Sequence, residues 1–156
     1  MSMKKLAGIF FLLFLSLASY GQIVLGDDGL YYDENDQPYT GVYKEFYKDG
    51  TLHTEMPLTG GMKNGQVKTY FPDGKIREIR SYRFNIMDGL WETWNKEGVK
   101  IAEAHYLNGK KHGKWYIWDD HGVLRYDMTY DHGKKTGTWK IFDATGKLLH
   151  EKKFEQ

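Results

Sequence analysis

Between Gly41 and Phe154 the apolar residues return on two periods at once. The short period is two. Leu124, Tyr126, Met128 and Tyr130 alternate with Arg125, Asp127 and Thr129, as in a strand packed on one face only. The long period is 24. Gly113-Lys114-Trp115-Tyr116-Ile117-Trp118 is echoed 24 residues earlier by Gly89-Leu90-Trp91-Glu92-Thr93-Trp94 and 24 later by Gly137-Thr138-Trp139-Lys140-Ile141-Phe142. Two further units open at Gly41 and Gly65, and no insertion separates the five. An unbroken period of this length marks a stacked repeat architecture.

Nine residues after each opening glycine stands a second one: Gly50, Gly74, Gly98, Gly122 and Gly146. Asp49 and Asp73 precede the first two, and an Asp-Gly pair between β-prone runs predicts a hairpin, because glycine accepts the positive φ of the turn. Each unit therefore predicts strand, tight turn, strand and a polar loop to the next opening glycine. The expected fold is all-β: an open single sheet of stacked β-hairpins. Its five repeats are 41–64, 65–88, 89–112, 113–136 and 137–156. Trp115 and Trp118 lie three apart, which leaves two readings. Either a bulge re-aims one of them or both sheet faces carry aromatics.

The segment before the repeats changes the picture twice. Met1–Gly21 has Lys4 and Lys5 followed by the apolar run Leu6–Leu17, then Ser19-Tyr20-Gly21. This is the form of a secretory signal, and cleavage is expected before Gln22, giving an exported protein, periplasmic or extracellular. Residues 22–40 follow as an N-terminal cap, since terminal units of a stack deviate from the repeat. The chain has no cysteine, so the exported protein is held together without disulfides.

Pro38-Tyr39-Thr40-Gly41-Val42-Tyr43 with Tyr47-Lys48-Asp49-Gly50-Thr51-Leu52, and Tyr106-Leu107-Asn108-Gly109-Lys110-Lys111-His112-Gly113-Lys114-Trp115, resemble a bacterial MORN-variant repeat protein. The likeness runs from Gly29 to Phe154. It implies hairpins laid side by side in one elongated, twisted sheet. It also implies protein binding, through a branch described as antitoxins of toxin–antitoxin systems. Elsewhere such repeats act as scaffolds, membrane-contact modules and appendages to enzymes.

Catalytic chemistry finds little support. Ser81 is the single serine after the leader, and no nucleophile motif surrounds it. The periodic glycines belong to turns and form no phosphate loop. His53, His105, His112, His121, His132 and His150 occupy six different offsets in the unit, so no histidine column and no metal site is expected. The reading is a non-enzymatic protein with no cofactor. Without Lys4 and Lys5 the chain carries 20 basic against 21 acidic residues, which excludes general nucleic-acid binding.

Two patterns point to binding. All five tryptophans, Trp91, Trp94, Trp115, Trp118 and Trp139, fall in the first strands of repeats three to five. Lys110, Lys111, Lys134 and Lys135 crowd the return loops of the same region, opposite an acidic turn edge. These nine residues form the candidate binding surface. The expected role is protein–protein interaction or scaffolding in the bacterial cell envelope. A glycan or anionic-lipid ligand is the alternative, and a toxin-neutralising, antitoxin-like role is a third reading. The oligomeric state is left open.

Overall fold

The structure is a computed structural model and describes residues 22–155. The expected leader and its cleavage point lie outside the described residues. Two short strands, β1 (Val24–Leu25) and β2 (Tyr31–Tyr32), form a separate antiparallel pair. The five repeats follow as hairpins: β3 (Gly41–Phe46) with β4 (Leu52–Thr59); β6 (Gly65–Tyr70) with β7 (Ile76–Arg83); β8 (Ile86–Trp94) with β9 (Lys100–Leu107); β10 (Lys110–Trp118) with β11 (Leu124–Asp131); and β12 (Lys134–Phe142) with β13 (Leu148–Phe154). A two-residue strand, β5 (Met62–Lys63), pairs with β4. The sheet is open and antiparallel, in the order β13-β12-β11-β10-β9-β8-β7-β6-β4-β3. Ten strands at about 4.8 Å give a sheet about 45 Å across. The described residues include no helix.

The hairpin turns are built as expected, with φ of 85°, 81°, 85°, 81° and 81° at Gly50, Gly74, Gly98, Gly122 and Gly146. The side-chain oxygen that braces the turn changes place along the stack. In the first two repeats Asp49 and Asp73 accept from the N–H groups of Thr51 and Lys75. In the last three Asn95, Asp119 and Asp143 accept from Val99, Val123 and Lys147, across the whole turn.

The return connection is not a loop but a second hairpin of two residues. Gly60-Gly61, Phe84-Asn85, Asn108-Gly109 and His132-Gly133 all have positive φ at both positions, as a type I′ turn requires. The first strands of repeats three to five therefore start three residues before the opening glycine, at Ile86, Lys110 and Lys134. Successive return turns are tied together. Gly61 N donates to Tyr39 O, Asn85 N to Lys63 O, Gly109 N to Met87 O and Gly133 N to Lys111 O, at 2.7–2.9 Å. The cap supplies the first of these ties, so it behaves as the tail of a preceding repeat.

Within each repeat hairpin the pairing slips at the same place, beside the turn. Ile117 pairs with Tyr126 but Trp118 pairs with Leu124, leaving Arg125 as an extra residue. His53, Arg77, Ile101 and Leu149 are extra at the same offset in the other hairpins. Leu124 thus lies opposite Trp118 and leaves the face of Met128 and Tyr130, which corrects the simple alternation read from the strand. Trp115 and Trp118 sit on opposite faces, so aromatics occupy both.

The compact core lies at the N-terminal end. Met56, Leu58 and Val67 are buried there, with Tyr31 and Tyr39 of the cap and Tyr43 and Tyr82 packed on them. The cap covers this end of one sheet face, where Tyr31 and Tyr43 are 5.5 Å apart. Its Tyr31 N–H donates to Gly61 O at 2.9 Å.

Candidate binding face

Beyond the capped end, the same face carries a continuous ladder of rings. Trp91, Tyr106, Trp115, Tyr130, Trp139 and Phe154 follow one another with centroid separations of 5.6, 5.3, 5.3, 5.1 and 5.0 Å. Pairing explains the order. Each first strand places its tryptophan inward of the opening glycine, and each second strand places its terminal aromatic opposite that glycine, as in Gly113 with Tyr130. With no side chain on the glycine, the neighbouring rings meet above it. The tilted and edge geometries between 4.5 and 7 Å are those aromatic pairs favour.

Cations lie on the rings. Arg80 stands 4.3 Å from the Trp91 centroid, Lys111 4.3 Å from Trp115 and 4.9 Å from Tyr130, and Lys135 4.5 Å from Trp139. The indole N–H groups are all satisfied. Trp91 donates to Glu78 Oε1 at 2.7 Å, Trp115 to His105 O at 3.0 Å and Trp139 to Thr129 O at 2.9 Å. Burial among these rings pushes the Tyr106 and Tyr130 phenols above their usual range. A ladder so completely partnered is a stability element first.

Beside it runs a row that changes character along the stack. At one cross-strand level the residues are Glu45, Thr54, Thr69, Glu78, Thr93, Ala102, Ile117, Tyr126, Ile141 and His150. The first five are polar. Ile117, Tyr126 and Ile141, in repeats four and five, are apolar and 40, 40 and 37 % exposed. An exposed apolar row against an aromatic ladder is the makings of a docking surface.

The opposite face differs. Its central level runs Lys44, Glu55, Lys68, Ile79, Glu92, Glu103, Tyr116, Asp127, Lys140 and Glu151. Of the five neighbour pairs in which both residues are charged, four are of opposite sign. Where Glu92 meets Glu103, Lys100 bridges both carboxylates, and its hydrogen bond to Glu92 raises the ammonium above its usual range. Trp94 and Trp118 belong to this face, with Lys100 5.8 Å from the Trp94 ring and Tyr116 5.5 Å from Trp118.

The nine candidate residues are therefore divided. Trp91, Trp115, Trp139, Lys111 and Lys135 stand together on the ladder face; Trp94 and Trp118 are on the other. Lys110 and Lys134 begin β10 and β12 at the exposed return edge. Ile117, Tyr126 and Ile141 were missed by a search for tryptophan. Their signal was present at the offset of Ile117 and Ile141, where the earlier repeats have Glu45, Thr69 and Thr93, and at that of Tyr126, where the others have Thr54, Glu78, Ala102 and His150. The histidine offsets also misled. The return-turn ties bring His112 and His132 to a ring separation of 4.9 Å.

Opening glycine, hairpin turn, terminal aromatic and tied return turn recur every 24 residues, and one family has this unit. The chain belongs to the MORN repeat variant family. The family pattern matches residues 39–58, 63–83, 111–132 and 135–156, more than half of the chain. The matches begin on the 24-residue frame, at Tyr39, Lys63, Lys111 and Lys135, and the unit that would begin at Met87 is not among them. Among curated proteins none matches the chain. MORN repeats are modules that bind proteins or membranes, and a non-enzymatic role is compatible with them.

Proposed function

We propose that this chain is a non-enzymatic binding module whose partner is another protein, docked on the ladder face of repeats four and five. The observation that carries this is the exposed row Ile117, Tyr126 and Ile141, present only where the cap and its core do not reach. Large apolar side chains beside anchored aromatics supply the desolvated centre of an interface, and Lys111 and Lys135 supply its polar rim. The leader-like segment Met1–Gly21 supports a binding event in the cell envelope or outside it. The toxin-neutralising role is one form this reading takes, with the toxin as partner.

The test is retention of an envelope partner by the purified chain, compared with Ile117→Glu and Ile141→Glu. Both positions are already partly solvated, so the melting temperature is expected to stay within a few degrees while retention falls by tenfold or more. Retention that follows only the unfolded fraction sinks the proposal. A second reading rests on the return edge, where Lys110 and Lys134 flank Lys111 and Lys135. An anionic head group bound there loses affinity steeply between low and physiological salt, whereas an apolar contact does not. Binding to anionic vesicles that disappears with salt and ignores Ile141→Glu favours this second reading.

A further inference from the structure

We propose that His112, Asp131 and His132 form a surface site for a zinc-like divalent cation, at the return edge between repeats three and four. Three potential ligand atoms, one from each side chain, lie within 4.8 Å of one another. Asp131 Oδ1 is the centre. It lies 2.6 Å from His132 Nδ1 and 3.3 Å from His112 Nδ1. Four-coordinate zinc holds nitrogen and oxygen ligands at about 2.0–2.2 Å, which places neighbouring donors about 3.3 Å apart. The His112 distance already fits, and the His132 distance fits once the shared proton gives way to a larger cation.

The hydrogen-bond roles make the same point. His132 N–H points at His112 Nδ1 at 3.5 Å, so that nitrogen accepts and carries a lone pair. The same nitrogen faces Asp131 Oδ1, which is also an acceptor. Placing the proton on His112 Nδ1 satisfies the carboxylate but sets two donors against each other. Neither neutral tautomer satisfies both neighbours; a cation between the nitrogen and the carboxylate takes a lone pair from each and gives up only the long 3.5 Å contact from the His132 N–H. Two imidazoles and one carboxylate suit zinc and its borderline neighbours better than calcium or magnesium, which take oxygen. Water would complete the coordination.

The backbone is organised for it. Asp131 ends β11, His132 is the first residue of a type I′ turn with φ 46°, and Gly133 N–H ties that turn to Lys111 O at 2.7 Å. His112 follows Lys111 directly, so the tie that stacks the repeats also sets the two imidazoles together. Lys134 is the cross-strand partner of Asp131, and Lys111 and Lys135 are held over Trp115 and Trp139.

The experiment is equilibrium dialysis of zinc chloride against the full chain carrying no histidine tag. One zinc per chain is expected, with a melting temperature that climbs as zinc is added. His112→Ala and His132→Ala are expected to abolish saturable uptake, and Asp131→Asn to weaken it by about tenfold or more. His121→Ala, at the opposite edge, is expected to bind as the unaltered chain does. Circular dichroism checks folding, and His112→Gln with His132→Gln repeats the test if either alanine variant unfolds. No saturable uptake by the unaltered chain, or uptake undiminished in a folded variant lacking both imidazoles, overturns the proposal.

Discussion

Trp115→Ala measures what the ring ladder is worth. The indole is half-buried between Tyr106 and Tyr130, each at 5.3 Å, under Lys111 at 4.3 Å. A tryptophan buries roughly 150–250 Å², so about half of it returns about 100 Å² to water, or about 2.5 kcal/mol. Two ring contacts at about 0.5–1.5 kcal/mol each and the cation contact at about 0.5–1 kcal/mol overlap in part with that area. The expected loss is about 3–4 kcal/mol. For a domain of this size that is a fall of roughly 10 °C in melting temperature.

Trp118→Ala is the internal control. Same strand, same residue type, opposite face, with one ring neighbour at 5.5 Å in place of two; its expected cost is about 1–2 kcal/mol. Trp115→Phe keeps a ring and loses only the bond to His105 O, for about 1 kcal/mol. Urea unfolding followed by circular dichroism and by the remaining tryptophans reads all three. Because each repeat touches only its neighbours, Trp115→Ala is also expected to separate the unfolding of repeat five from that of repeats one to three. A loss under about 1 kcal/mol, or one equal to that of Trp118→Ala, would refute the ladder as the main stabilising element.

Gly98→Val and Gly122→Val place a β-branched residue at φ 85° and 81°, for about 1–3 kcal/mol. Gly122→Val is expected to cost more, because its Cβ would meet Val99 Cγ1 at 3.2 Å while Gly98 opens on free space, and unchanged urea midpoints would contradict this. Lys100→Met leaves Glu92 facing Glu103 and is expected to cost about 1 kcal/mol, recovered in part by salt; an effect indifferent to salt would argue against charge repulsion. The Thr145 hydroxyl and the turn N–H groups hold the Asp143 carboxyl below its usual range, and the N–H groups of Val123 and His121 do so for Asp119. Folded-state values lowered in this way contribute stability that is complete above about pH 5 and is lost as pH falls through about 4 and below. Asp119→Asn with Asp143→Asn is expected to flatten that acid limb of the melting curve, and a limb of unchanged steepness would remove these turns as its source.

The parts of the fold set by backbone geometry were legible because glycine has few substitutes. Gly98 and Gly122 need positive φ, so they recur at a fixed offset and announce the turn. The bulge was not legible, although it recurs as faithfully. Its extra residue is His53, Arg77, Ile101, Arg125 or Leu149, because a bulge constrains pairing more than side-chain type. The second hairpin was half legible. Asn108-Gly109 is the strongest two-residue turn signal there is, but Phe84-Asn85 at the equivalent place disguised the rule, and a loop was the natural reading. The candidate site shows the same limit. Tryptophan is the residue most enriched at binding centres, so the sequence pointed to five indoles. On the ladder face, however, Trp115 and Trp139 each lie between two aromatic rings and under a lysine, and their N–H groups are spent on backbone carbonyls. Their anchoring leaves Ile117, Tyr126 and Ile141, one cross-strand level away, as the apolar atoms a partner meets. Exposure is a property of neighbours across strands, and a chain read along its length shows neighbours only along the strand.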